Sequence, residues 1–134
     1  MITTKSPTIR GAEIRKTDAS GEAQFALASG GKQMHFDVTV HDLKDVTMAH
    51  LHMAPTGQNG PVVVWLYPSE QHEALIKGIT NGKLAEATIT ADDFVGPLKG
   101  KPFGELVSKI KSGDIYVNVH TKQNPEGELR GQLH

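Results

Sequence analysis

The chain contains no cysteine, which excludes disulfides, thiolate metal sites and thiol nucleophiles together. Any bound metal must then rest on nitrogen and oxygen ligands, with a Met thioether as the remaining sulfur donor. A charge surplus is lacking too: fourteen Lys and Arg stand against fifteen Asp and Glu, for a formal net charge of -1. With no basic excess to hold a polyphosphate backbone by counterion release, nucleic acid is not an expected partner. The longest apolar run, Val62 to Tyr67, is far short of the roughly 18 residues of a membrane span, so no membrane partner is expected. The opening Met1-Ile2-Thr3-Thr4-Lys5 lacks the apolar centre of a signal peptide. Hydrolase and nucleotide chemistry find no convincing motif, because Gly57-Gln58-Asn59-Gly60-Pro61 leads into a strand and not into a helix.

Against these absences stand 134 residues with 37% hydrophobic and 22% charged content, the profile of one globular domain spanning 1–134. Most of the chain alternates apolar and polar residues with period two between Gly, Pro, Asn and Asp punctuation, the pattern of half-buried antiparallel strands. An opening hairpin is expected to pair the segment Ile9 to Lys16 with Ala23, Phe25 and Leu27 through Thr17-Asp18-Ala19-Ser20. Met34, Phe36, Val38 and Val40 make an apolar face, with His35, Asp37, Thr39 and His41 alternating outward. A turn at His41 to Asp45 should lead into a strand from Val46 to Met53. Val62 to Tyr67 is apolar on both faces and reads as a central strand.

Ser69 to Gly82 reads as a loop with one helical turn near Ser69 to Ile76, before a strand at Leu84 to Thr90. Phe103, Leu106, Val107 and Ile110 recur at helical spacing between Pro102 and Gly113, which predicts a short amphipathic helix over Pro102 to Lys111. Ile115 to Thr121 and Glu128 to Leu133 complete the set as a final hairpin. The expected fold is all-β, an antiparallel Greek-key β-sandwich or flattened barrel with one short helix.

Seven histidines are the compositional excess, and their spacing points to chemistry. His50 and His52 leave the same face of one strand about 6–7 Å apart, a span that one metal ion bridges. In the final hairpin the same reasoning places His120 opposite Glu128 and Asn118 opposite Arg130, so Arg130 lies diagonal to His120. If His41 pairs with Val46 across a turn, Asp37 falls opposite His50 and His35 opposite His52. His35 then becomes the fourth nitrogen ligand, and Asp37 the carboxylate that orients the His50 ring. Each of these residues has a plainer reading as a solvated strand side chain. Met48 shares the His50 face, where packing is the commoner role for a Met. His41, His72 and His134 carry less weight as ligands.

Three motifs occur in order: Ala49-His50-Leu51-His52, the loop Gly57 to Pro61 running into Val62-Val63-Val64, and Tyr116 to Thr121 followed by Gly127 to Leu133. Together with Gly21 to Phe25 and Lys111-Ser112-Gly113, they give the chain a resemblance to the chordin-type (CHRD) domain family over roughly Ile9 to Leu133. That resemblance implies a β-domain that occurs both in large secreted proteins that bind growth factors and as free-standing microbial domains, hence an extracellular or periplasmic location. The His-x-His strand paired with a later strand His is also similar, in architecture, to the copper site of copper/zinc superoxide dismutases.

Neutral imidazoles without a carboxylate ligand suit copper, with zinc as the alternative. The expectation is therefore a mononuclear copper site on His50, His52, His120 and His35. Superoxide, a small anion steered by Arg130, is the substrate to test first. The competing expectations are a non-catalytic protein-recognition module of the chordin-domain type, with a protein partner, and metal binding without turnover.

Overall fold

The computed structural model describes residues 8–11, 19–28, 30–68 and 74–133. Its spine is one strand of unusual length, β3 (Gln33–Met53), flanked in the chain by β1 (Thr8–Gly11), β2 (Ser20–Leu27), β4 (Val62–Tyr67), β5 (Ile76–Thr90), β6 (Ile115–Thr121) and β7 (Leu129–Gln132). The first half of β3 pairs with β2 and β5, and its second half with β4 and β6. Hydrogen bonding runs along β2-β1-β7-β6-β3, and the additional β2–β3 pairing closes that path on itself. The result is an antiparallel sheet curled into a flattened barrel, with the long strand serving both of its walls.

The turn expected at His41 to Asp45 is not a turn. Asp42 and Asp45 take positive φ values of 55° and 54°, and the register against β5 shifts between Val40 and Leu43 and again between Lys44 and Val46. These are β-bulges, which bend a strand and re-aim its side chains without reversing it. Asp is among the few residues that tolerate the left-handed region. Both bulges are held from β5: the Asp42 amide donates to Asn81 Oδ1 at 2.8 Å and Asp45 Oδ1 accepts from the Gly78 amide at 2.8 Å. An Asp-x-x-Asp segment carries the composition of a hairpin turn, and only the pairing of β5 distinguishes the two outcomes.

β5 also begins earlier than expected, at Ile76, and passes through Gly78 and Gly82 at φ of 88° and 120°. Those glycines read as loop punctuation in sequence, yet they bend the strand to follow the bulges of β3. Of the helical turn expected over Ser69 to Ile76, positions 69–73, with His72, lie outside the described residues, while 74–76 are not helical and Ile76 already opens β5. Residues 12–18, which include Thr17 and Asp18 of the opening turn, and His134 also lie outside the described residues. β4 is a terminal strand of the path and not a central one; its outer side is covered by Phe94, which bridges Val64, and by the Val95 amide, which donates to the Val63 carbonyl at 2.9 Å.

The core draws on inward residues of β2 to β7: Phe25, Phe36, Val38, Leu51, Val63, Ile89, Val117, Val119 and Leu129 are all buried. The one α-helix among the described residues, α1 (Phe103–Lys111), starts after Pro102 and sends Phe103, Leu106 and Ile110 into that core. Gly113, at φ 79°, takes the left-handed conformation just past its end, as helix C-termini favour. No helix among the described residues is long and apolar enough to cross a membrane.

Candidate metal centre

On the face of β3 opposite the core, the bulges deliver a second buried layer. His50 and His52 project there from β3, and β6 lies alongside with His50 opposite Asn118, His52 opposite Tyr116 and Met48 opposite His120. His50, His52 and His120 therefore converge. The ring centroids lie 5.4 Å apart for His50 and His52, 4.9 Å for His50 and His120, and 5.8 Å for His52 and His120. One ligand atom from each lies within 4.8 Å of the other two.

Period-two alternation places these three histidines outward, and in a two-layer reading that means solvent. The structure corrects this: His50, His52 and His120 are only 3%, 8% and 7% exposed. The cover comes from distant parts of the chain. Trp65 of β4 sets its ring 4.2 Å from that of His50, edge to face. Tyr116 stacks on His52 at 4.9 Å and 7°, and the Arg130 guanidinium lies 3.7 Å over the other side of the Tyr116 ring. The loop between β3 and β4 closes over the top: Gly60 donates its amide to the Tyr116 hydroxyl at 3.0 Å and accepts from His52 Nδ1 at 2.9 Å. A side chain at Gly60 would collide with the Met53 carbonyl, so glycine is needed for this close approach.

The β6–β7 connection holds the other side. His120 Nδ1 donates to the Pro125 carbonyl at 2.9 Å, and Asn118 Nδ2 donates to the Glu126 carbonyl at 3.1 Å. With Nδ1 protonated, His120 Nε2 is an acceptor, so the 3.1 Å contact to His50 Nδ1 is a donation from His50. The arrangement leaves His50 Nε2 and His52 Nε2 buried without a hydrogen-bond partner. Burial pulls the His50 pKa from 6.5 down to about 3, aided by repulsion from His120 and His52. Burial likewise lowers His52 to about 4, opposed by the Gly60 carbonyl and aided by His120 and Arg130.

These shifts carry a stability prediction for the metal-free protein. Because both folded pKa values lie below the unfolded value of 6.5, the unfolded chain takes up protons first. The stabilising term is complete above pH 6.5 and is lost as pH falls from there through about 4 and about 3. Urea midpoints should therefore decline already between pH 6.5 and pH 5, before most carboxylates titrate. A flat profile over that interval would show that the two imidazoles are not held neutral.

The other candidates lie elsewhere. His35 sits in the first half of β3, between Ala26 and Thr88, and its Nε2 meets Glu86 at 3.0 Å on an exposed surface. Asp37 lies between Gln24 and Glu86. Without the hairpin, His35 is not opposite His52 and Asp37 is not opposite His50. Arg130 does face Asn118 in the expected register, but its guanidinium also donates to Asn59 Oδ1 at 2.9 Å and to the Gln58 carbonyl, so it locks the loop over the site. His41 meets Glu22 at 2.9 Å.

Sequence reasoning missed Trp65, Tyr116, Gly60 and the carbonyls of Gly60 and Pro125. The one available signal was that Tyr116 and the Gly57 to Pro61 loop accompany the histidines in the same motifs.

A model of the CHRD domain matches residues 8–133. Among curated proteins, Chordin of Xenopus laevis is 31% identical over 96% of this chain and 12% of its own length. Chordin of Danio rerio is 30% identical over 89% of this chain and 11% of its own. The chain thus spans about an eighth of the relatives it matches. No solved structure matches it. A family model that matches residues 8–133, the full span of the described residues, assigns the chain to the CHRD domain family.

Proposed function

We propose that the chain is a non-catalytic recognition module of the chordin-domain type that acts outside the cytoplasm on a protein partner. The observation that carries this reading is the closure of the histidine layer. Three imidazoles less than a tenth exposed, beneath Trp65, Tyr116 and a loop tied down by Arg130, offer a substrate no approach, whereas a catalytic metal site keeps a position open. Arg130 directs a donor from each terminal nitrogen to the loop and stacks on Tyr116, which speaks against its use as an anion guide for superoxide.

The surface for a partner lies elsewhere. β5 is hydrogen-bonded along β3, and Ile79 on it is 66% exposed, with Leu75 just before it at 42%. Lys77 lies between them and Lys83 follows. Lysines on an edge discourage indiscriminate strand pairing, so an apolar patch on a partner would dock through these two side chains.

The test has a catalytic arm and a binding arm. Copper-loaded protein, assayed by pulse radiolysis, is expected to dismutate superoxide no faster than the same copper bound to His50→Ala protein; clear excess turnover would overturn the reading. Cross-linking to secreted partner protein should be lost in Ile79→Asp, which keeps the wild-type melting temperature, and unchanged cross-linking would remove this surface.

A further inference from the structure

The histidine layer is built for something other than its own hydrogen bonds. We propose that His50, His52 and His120 form a buried three-imidazole site for one zinc or copper ion, which ties β3 to β6 beneath the loops that precede β4 and β7. This stands independently of the recognition reading, since a covered site needs no turnover and lies away from Ile79.

Three observations converge on it. His52 and His120 each donate Nδ1–H to a backbone carbonyl, of Gly60 and Pro125, and this is how proteins fix the tautomer and orientation of a metal-ligating imidazole. Both carbonyls belong to loops brought in for close contact, one of them at the glycine that admits no side chain. The outcome in each case is an Nε2 lone pair directed into the layer.

The second observation is the cost of leaving the layer empty. His52 Nε2 has no hydrogen-bond partner although the residue is more than nine-tenths buried. Buried polar atoms in native proteins are rarely left so. A phenylalanine or leucine pair would fill the same space without the penalty, so the imidazoles need a reason to be there.

The third is chemistry and spacing. His50 Nδ1 and His120 Nε2 are already 3.1 Å apart, close to the about 3.3–3.6 Å that two nitrogens show when each is about 2.0–2.1 Å from one ion. Their hydrogen bond gives way to the ion, the His50 proton moves to Nε2, and His52 Nε2 closes in as the third ligand. No net proton is released, because each ring carries one N–H in this hydrogen-bond arrangement and keeps one with the ion bound. Three imidazoles in a shell without a carboxylate select zinc or copper over magnesium, calcium or manganese.

The experiment uses the whole chain, stripped with a chelator and titrated with Zn2+ and with Cu2+ separately against a chromophoric competitor. One equivalent of either ion is expected to bind, with a rise in melting temperature. His52→Gln and His120→Gln should each weaken binding more than 100-fold, beyond the about 10–100-fold typical of outer-shell changes. His35→Gln and His41→Gln, on exposed imidazoles, should bind as wild type.

Should a ligand variant fail to fold, the wild-type protein still decides the matter: imidazole nitrogen NMR should show Zn2+ moving the Nε2 signals of His52 and His120 and leaving His35 and His41 in place. Absence of saturable binding by either ion, or a response at His35 and His41 instead, overturns the site.

Discussion

Tyr116→Ala is expected to destabilise the protein by about 3–5 kcal/mol, the range for emptying a buried aromatic position, and to open the histidine layer at the same time. Tyr116 is 1% exposed. Its ring is a middle layer, with His52 stacked on one side at 4.9 Å and the Arg130 guanidinium 3.7 Å from its centre on the other. Its hydroxyl accepts the Gly60 amide, and the Gly60 carbonyl in turn holds His52 Nδ1. Truncation would leave a cavity between two polar groups, remove the cation–π contact, and orphan a backbone amide.

Tyr116→Phe separates these effects. It keeps the ring and its stacking and removes only the acceptor, so about 1–3 kcal/mol is expected from the unsatisfied Gly60 amide. Denaturant unfolding of both variants checks the order. Equal losses would mean that the ring contributes little and the loop anchor dominates. If the 55–61 loop is the cover described here, hydrogen exchange at Gly60 should quicken in Tyr116→Phe while the β2–β3 ladder stays protected.

What the sequence makes legible here follows from the range of each signal. The alternation of Met34, Phe36, Val38 and Val40 with polar neighbours is a local pattern, and β3 buries those four residues as it implies. α1 likewise follows from helical spacing closed by Pro102 and Gly113. The convergence of His50, His52 and His120 needed one register beyond local pattern, and β6 lies beside β3 as required.

The failures share a cause as well. Asp42 and Asp45 look alike in a reversing turn and in a bulge, and the partner that decides between them, β5, is more than thirty residues away. With that one misjudgement His35 and Asp37 were drawn to a site from which the bend separates them. The burial of the outer face was equally out of reach, because Trp65 and the loop at Gly60 cover it through contacts that no period of two can contain.

A different kind of illegibility surrounds Glu128, and it supports the second large prediction: Glu128→Ala should cost about 3 kcal/mol or more. Read as composition, Lys122-Gln123-Asn124-Pro125-Glu126-Gly127-Glu128 is a solvated polar turn. In the structure Glu128 is 5% exposed, and its Oε1 accepts from Thr121 Oγ1 at 2.8 Å, Asn124 Nδ2 at 2.9 Å and Gln123 Nε2 at 3.0 Å. The turn is thus wrapped around a buried carboxylate. Removing it takes the charged acceptor from the buried Thr121 hydroxyl and from Asn124 Nδ2, at about 1.5 kcal/mol or more for each, while Gln123 Nε2 keeps the Lys44 carbonyl at 2.7 Å. Glu128→Gln keeps one oxygen as acceptor and should lose markedly less.

The consequence reaches the histidines, because the same turn presents the Pro125 carbonyl to His120 and the Glu126 carbonyl to Asn118. Glu128→Ala should therefore weaken zinc or copper binding about 10–100-fold, as loss of support behind a ligating imidazole does, even at temperatures where the variant is fully folded. Thermal melts with and without the ion measure both effects in one series. A variant that melts early yet binds the ion with wild-type affinity would show that the turn holds the barrel together without positioning His120.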